Sequence, residues 1–379
     1  MSTLILIAAL LVIAFEFQNL ISWWRGRVLD VTEVESRDFT IIVPLFGDPR
    51  YFEARESLQR YRKNVLVAME VTPSVMEAFA DELEADGWGV SRIRAANPNP
   101  ALLVAEALRV VTTTYALRLD ADTLVDDDIP AAVAALAADG GDIASTKVDV
   151  SNAVGVPAKM QRLEYRIAML TRHYRPWLTS GACFIARTNA LRAIFARHTK
   201  WTPGEDIETG RVAVALRMKI RHVDVTVRTA VPETWWALLR QRRLWWAGNF
   251  RHAVINLDRN AFQMPVMSLY WMLLIWLSFI FEPWHAVHVG DPVSTLPLLY
   301  VSYLVVTVVP NLKVASPWMV LFPFLAFVQS ALMPPVGAIS YALLARRKRT
   351  LGRYRFPLVA SSAAGGRDPR RTCGNYPNA

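Results

Sequence analysis

Three short groups of residues carry side chains that could act together. Leu119-Asp120-Ala121-Asp122-Thr123 follows directly on Tyr115-Ala116-Leu117-Arg118-Leu119, a run that reads as a β-strand. Carboxylates at i and i+2 where a strand ends can converge on one cation if the chain turns there. Oxygen ligands select Mg²⁺ or Mn²⁺, and such ions commonly bind through one or two carboxylates plus the phosphates of a substrate. A solvated turn is the alternative, and is the reading taken for Asp126, Asp127 and Asp128. Gly204-Glu205-Asp206 opens a helical stretch, where a carboxylate could remove a proton from an acceptor hydroxyl or simply cap the helix. Arg240-Gln241-Arg242-Arg243-Leu244-Trp245-Trp246-Ala247-Gly248 combines guanidinium groups suited to a diphosphate with indoles suited to a sugar face. The same composition also suits a helix lying on a membrane surface.

The elements that must position these groups alternate. β-branched runs at Phe39–Val43, Asn64–Met69 and Tyr115–Leu119 read as strands, and Ser74–Ala85 and Ala101–Val111 carry helical periodicity. Strands alternating with helices imply an α/β domain with a mainly parallel sheet covered on both faces. Ligands bind at the carboxyl ends of the strands in such sheets, which is where Asp120 and Asp122 fall.

The flanks are different in character. The 379 residues are 53% hydrophobic with 13 Trp, and mean hydropathy is +0.23, unusual together for a soluble chain. Leu4–Trp24, Pro265–Val289, Val293–Leu312 and Pro317–Ala345 are the apolar stretches, long enough to suggest membrane spans. The net charge of +9 is concentrated beside them, at Arg25 and Arg27, at Arg240, Arg242 and Arg243, and at Arg346–Arg349. That distribution matches the positive-inside pattern rather than a nucleic-acid-binding face. The first stretch lacks the basic start and the cleavage site of a signal peptide, so it reads as an uncleaved anchor.

Glu233–Leu257 mixes Trp and Leu with Arg and His and reads as an interfacial amphipathic helix. An inward-facing anchor end followed by three spans would leave Arg346–Arg349 outside, against the positive-inside pattern. A cytoplasmic C-terminus is restored if one stretch does not cross fully or if the last is broken at Pro334-Pro335 into two passes, which leaves the number of spans open. Cys183 and Cys373 form no scaffold, His173, His222 and His252 lack zinc spacing, and no phosphate-loop or dinucleotide fingerprint occurs.

In order and spacing these groups resemble the inverting family-2 glycosyltransferases of GT-A fold, and the subset nearest in pattern is the membrane synthases of cellulose, chitin and hyaluronan. The family's Asp-x-Asp corresponds to Asp120 and Asp122, its Glu-Asp motif to Glu205-Asp206, and its Gln-x-x-Arg-Trp to Gln241-Arg242-Arg243-Leu244-Trp245. Gln161-Arg162-Leu163-Glu164-Tyr165 resembles its Gln-x-x-Glu-Tyr helix, and Ser180-Gly181-Ala182-Cys183 with Arg187 its acceptor-side segment. The resemblance runs from about Thr40 to Gly248 and extends to the membrane layout.

It implies a GT-A domain over residues 36–230 between an anchor over 1–27 and an interface helix region over 231–262. Transmembrane helices over 263–345 and a basic tail over 346–379 would follow. Pro44, Leu45 and Glu70 would border the donor nucleotide, a UDP-sugar. Asp120 and Asp122 would hold the donor and the Mg²⁺ or Mn²⁺ ion. Asp206, with Glu205 beside it, would act as general base, and the chemistry at the anomeric carbon would be oxocarbenium-like. Gln241, Arg242 and Arg243 would support the diphosphate, and Ser180, Gly181 and Trp245 the acceptor.

Two departures stand out. Leu244 occupies the family's usual Arg position, so either Arg243 or Arg242 substitutes or diphosphate binding differs. Asn97-Pro98-Asn99-Pro100 stands where relatives carry Gly-Lys. The function expected is extension of a polysaccharide with export through the membrane, with Tyr270, Trp271, Trp276, Glu282, Trp284, Tyr300 and Tyr303 as candidate channel-lining residues. Single addition to a lipid, as in ceramide glucosyltransferases, and a degenerate membrane scaffold are the alternatives.

Overall fold

Alternation with period two divides the strand side chains between two cores. In β2 (Phe39–Leu45), Phe39, Ile41, Val43 and Leu45 enter one apolar cluster, while Ile42 enters the other. In β5 (Tyr115–Leu119), Tyr115, Leu117 and Leu119 join the first cluster and Ala116 the second. Strands buried on both faces need helices on both sides, and these are present. The computed structural model describes residues 20, 28–31, 35–173, 176–255, 292–327, 329 and 332–352.

The remaining strands are β1 (Val28–Leu29), β3 (Val65–Glu70), β4 (Gly89–Ile93), β6 (Thr123–Val125), β7 (Ile143–Val150), β8 (Cys183–Arg187) and β9 (Ile220–Thr229). They form one sheet in the order β1-β9-β7-β8-β5-β2-β3-β4, with β6 on β9. Helices α1 (Ser74–Ala85) and α3 (Ile129–Asp139) cover the first cluster; α2 (Pro100–Ala107), α5 (Thr188–Phe195) and α6 (Glu205–Ala215) cover the second. Helix α4 (Val156–Arg172) follows β7. The sheet is parallel except for β8, antiparallel to both β5 and β7, and β6, antiparallel to β9. Chain order reverses at β2, which pairs with β3 on one side and β5 on the other. Crevices at such switch points are where open α/β sheets bind ligands.

Local chemistry explains several segments. Asn99 caps α2, its Oδ1 accepting from Leu102 N at 3.0 Å, with Pro100 in the first turn, so the Asn97–Pro100 segment is a helix start. Asp128 caps α3, Asp126 pairs with Arg228, and Asp127 accepts from Thr226 N. Those three acids, expected in a solvated turn, thus cap α3 and tie the turn to strand β9.

Helix α7 (Trp235–Ile255) falls within the helix read over Glu233–Leu257. Leu238, Arg242, Ala247, Arg251 and His252 are buried against the domain, while Trp235, Trp236, Leu244 and Trp245 are exposed. The apolar stretch Pro317–Ala345, for which a break at Pro334-Pro335 is one expectation, holds a 3₁₀ segment Pro317–Leu321, α9 (Phe322–Phe327) and α10 (Met333–Lys348) among the described residues. Pro334 and Pro335 sit in the first turn of α10, where a missing N–H costs nothing.

Before these lies α8 (Pro292–Val308), whose 17 residues span roughly 25 Å at the α-helical rise, short of the ~30 Å hydrocarbon core. No helix among the described residues is long and apolar enough to cross a membrane. The expected anchor over 1–27 (apart from residue 20), the stretch 265–289 with Tyr270, Trp271, Trp276, Glu282 and Trp284, and the tail beyond 352 lie outside the described residues.

Helices α10 and α7 pack at Gly337, where an added Cβ would meet Trp246 Cβ at 2.6 Å and Trp246 C at 2.8 Å. Gly337→Ala should therefore lower stability by about 1–3 kcal/mol, read as a lower unfolding midpoint. A midpoint equal to wild type would mean the helices do not pack this closely.

His222 on β9 is fully buried, with Nδ1 2.9 Å from Ser145 Oγ. Burial, then the charges of Arg172 and His173, depress its pKa to about 3. The folded protein therefore refuses a proton that the unfolded chain accepts below pH 6.5. Stability is complete above that value and drains away as pH falls toward the depressed one. At pH 5 the loss is about 2 kcal/mol from this residue. His222→Gln should remove about that much of the acid destabilisation; an unchanged difference between unfolding at pH 7.5 and pH 5 would refute the burial argument.

Candidate active site

Strand β5 delivers Asp120 to the switch-point edge of the sheet. Asp120 N donates to Ala182 O at 3.0 Å, just before β8 begins, and Thr123 N closes the turn on Asp120 O at 3.0 Å. This turn carries Asp122 beside Asp120, close enough for its charge to act on the Asp120 carboxyl. Gly181 lies against both acidic motifs. A Cβ built there would sit 3.2 Å from Asp120 Oδ2 and 3.8 Å from Asp206 Oδ2. Gly181 N donates to Asp206 Oδ2 at 3.2 Å, and Thr179 Oγ1 donates to Asp206 O at 2.6 Å. The two motifs, 86 residues apart by their numbering, thus meet at one small volume beside Gly181, where a Cβ would crowd the Asp120 carboxylate.

The charges there are closely coupled. Arg118 Nη2 is 3.0 Å from Asp120 Oδ1 and 3.6 Å from Glu205 Oε1. Burial pushes the Asp120 carboxyl up to about 7, with Arg118 opposing and the Asp122 and Glu205 charges adding. Its side chain keeps 34% exposure, so solvent screens part of that shift. Burial also raises Glu205, against Arg118, and it raises Asp122.

Beside this volume the aromatic and basic motifs meet. Arg242 Nη2 donates to Glu164 Oε2 at 2.7 Å, and its guanidinium lies 4.1 Å from the Trp245 ring centroid. Tyr165 stacks on Trp245 with centroids 6.4 Å apart. Burial raises the Tyr165 hydroxyl to about 12, where the charges of Arg242, Glu164 and Asp122 also reach it. Helix α4 therefore joins the acidic turn to α7. A second bridge runs from α6 to α7: His252 Nε2 lies 2.7 Å from Gly204 O, and a Cβ on Gly204 would meet Gly248 Cα at 3.1 Å.

Other candidates sit differently. Leu45 and Pro44 are buried within the end of β2, Leu45 in the core cluster, so their side chains are committed to packing. Glu70, at the end of β3, is buried with Oε1 accepting from Thr72 N at 2.9 Å. Ser180 Oγ accepts from Ala182 N at 3.2 Å and shapes the loop that presents Gly181. Gln241 Oε1 is buried without a partner among the described residues. Arg242 is buried and ion-paired, whereas Arg243 is exposed. Cys183 is fully buried, and burial pushes its thiol up to about 12, so it is a packing residue.

Sequence reasoning passed over Arg118, Glu208 and Arg251. Arg118 offered one signal: a charged residue within a strand whose neighbours are all apolar. Among the described residues no three of His, Cys, Asp and Glu gather to cage a metal. A site that holds its ion with one or two carboxylates and completes the shell with substrate phosphates needs no such cage. Asp120 and Asp122 on their turn, with Asp120 Oδ2 facing Gly181, fit that arrangement.

A family model described as glycosyl transferase family group 2 matches residues 115–333. Among solved structures, a mannosyltransferase from Pyrobaculum calidifontis in complex with GDP-Man and Mn²⁺ aligns with TM-score 0.56 at 15% identity, covering 89% of this chain and 99% of that one. TarS of S. aureus aligns with TM-score 0.37 at 16% identity, covering 85% and 94%. Glucosyl-3-phosphoglycerate synthase from Mycobacterium tuberculosis aligns with TM-score 0.35 at 15% identity, covering 55% and 77%. No curated protein sequence matches the chain. The first alignment shows a shared fold over nearly the whole of that neighbour.

Proposed function

The chain belongs to glycosyl transferase family group 2, and from that premise we propose that it is a membrane-integrated inverting transferase that extends a polysaccharide from a nucleotide-sugar donor. The chain is a glycosyltransferase with an α/β, GT-A-like fold. The donor is a UDP-sugar in this reading, and the α/β domain faces the cytoplasm. The observation that carries it is the meeting of Asp120 and Asp206 at Gly181, with Asp122 beside them and Tyr165, Arg242 and Trp245 alongside.

Asp120 and Asp122 would hold a Mg²⁺ or Mn²⁺ ion together with the donor diphosphate. A bound ion there supplies neutralising charge for the departing nucleoside diphosphate. Asp206, held by Gly181 N, takes the proton of the acceptor hydroxyl as that oxygen attacks the anomeric carbon. Glu205, tied to Arg118, is placed to orient rather than to abstract. Exposed Trp245 offers its indole to the acceptor sugar, and exposed Arg243 replaces the motif arginine lost at Leu244.

Membrane integration is supported by apolar exposure in the C-terminal segments. Val301, Val305, Leu312, Phe324, Ile339 and Leu343 are each more than half exposed, a density that water does not favour. Basic Arg346, Arg347 and Lys348 end α10, as a cytoplasmic boundary would require. Intact carboxylates at 120, 122, 205 and 206 weigh against a degenerate scaffold.

One observation favours the second reading, single addition to a lipid. Tyr300, a candidate for a polymer channel, donates its hydroxyl to Val320 O and packs on Phe324, 5.6 Å between centroids. Product analysis decides between them. Detergent-purified full-length protein, given radiolabelled UDP-glucose, UDP-N-acetylglucosamine, UDP-glucuronate or GDP-mannose, should form size-heterogeneous polymer. One lipid-extractable product would replace polymer extension by lipid glycosylation.

A further inference from the structure

Arg118 occupies a position that strand alternation reserves for an apolar side chain. Its neighbours on the same face of β5 and β8, Ala116, Phe184 and Ala186, all belong to the second apolar cluster. The Arg118 side chain is only 2% exposed, and a buried cation costs several kcal/mol unless anionic partners offset it.

Those partners come from both acidic motifs. Nη2 alone serves Asp120 Oδ1 at 3.0 Å and Glu205 Oε1 at 3.6 Å, and the Asp206 charge adds to them. Nε and Nη1 are buried without a partner among the described residues. An arginine placed for stability would engage a carboxylate with two parallel donors. This one leaves two donors idle and spends a third on two carboxylates from different elements. With Oδ1 taken by Arg118, the Asp120 oxygen facing Gly181 and Asp206 Oδ2 is Oδ2.

We propose that Arg118 is a positioning residue for sugar transfer: it ties the donor carboxylate on the β5 turn to the first turn of α6. Asp120 Oδ2 and the base Asp206 Oδ2 are thereby held facing the same space. The tie also opposes repulsion among three neighbouring carboxylates. Arg118 Nη2 borders that space, 3.5 Å from a Cβ built on Gly181, and in this proposal the residue acts through the carboxylates it holds. The inference rests on the assignment of Asp120 to the donor and Asp206 to the acceptor.

The test uses Arg118→Gln, Arg118→Lys and wild type as full-length protein in detergent. It compares unfolding midpoint, binding of UDP with Mn²⁺ and of GDP with Mn²⁺, and kcat and KM with whichever donor wild type turns over. Misplacement of reacting groups by about 1 Å costs on the order of 100-fold. Folded Arg118→Gln should lose about that factor in kcat, while the nucleotide bound by wild type keeps its Kd within about fivefold, because Asp122 remains. Arg118→Lys keeps the charge with a shorter reach and should recover about tenfold of kcat. A kcat for folded Arg118→Gln within threefold of wild type overturns the proposal. So does a loss that merely follows the folded fraction, with Lys no better than Gln. Normal transfer by Asp206→Asn would instead bring down the site assignment, and this inference with it.

Discussion

Asp206→Asn should slow sugar transfer by about 10²–10⁴-fold, the range a positioned general base contributes, while nucleotide binding stays within a few-fold of wild type. Asn is nearly isosteric and can still accept from Gly181 N, now 3.2 Å from Asp206 Oδ2, so the loop should keep its shape. It cannot take a proton. Asp120 and Asp122 are untouched, which is why binding and turnover should separate. Loss of binding together with turnover would make Asp206 a donor ligand. Retention of turnover would move the base elsewhere, with Glu205 as the next candidate.

Arg251→Met should destabilise the protein by about 3–5 kcal/mol, the usual consequence of removing one partner of a buried ion pair. Arg251 and Glu208 side chains are both 0% exposed, with Nη2 2.6 Å from Glu208 Oε2. Glu208 also accepts from Thr199 N at 2.6 Å and Thr199 Oγ1 at 2.8 Å. Its charge is therefore fully paired in wild type and stranded in the variant. Glu208 lies in the same first turn of α6 as Asp206, so activity should fall as well. The guanidinium further donates to Gly352 O at 2.7 Å, tying the segment after α10 to the pair at the start of α6. Arg251→Met with Glu208→Leu should be more stable than Arg251→Met alone, since no buried charge then lacks a partner. A shift below about 1 kcal/mol for Arg251→Met would mean that solvent reaches the pair.

How far the site could be read from the sequence depends on the range of the interaction. Strand β5 is legible because five consecutive residues follow a strand pattern and an Asp-x-Asp follows at once. Helix α1 is legible to its ends from periodicity alone. Strand β8 was not anticipated: it is five residues long, and nothing local marks its antiparallel insertion between β5 and β7. Arg118 was passed over because its role depends on which face of β5 meets α6. Arg251 and Glu208 are 43 residues apart, and neither lies in a motif. At Gln241–Trp245 the sequence left Arg242 and Arg243 as equal substitutes for the missing arginine. Burial of Arg242 on Glu164 separates them and leaves Arg243 facing solvent.

In the C-terminal region the separator read at Lys313–Ser316 spans the junction of two 3₁₀ segments, Val309–Val314 and Pro317–Leu321, each with a proline in its first turn, where no backbone donor is needed.

Donor cleavage as a function of Mn²⁺ concentration, in wild type and Asp122→Asn, examines the gathering of carboxylates around a sugar diphosphate most directly. With the donor that wild type uses, nucleoside diphosphate release should saturate with Mn²⁺, stop after chelation, and be absent from folded Asp122→Asn at every Mn²⁺ level. Release that survives chelation, and proceeds at the wild-type rate in Asp122→Asn, would contradict a site built on these side chains.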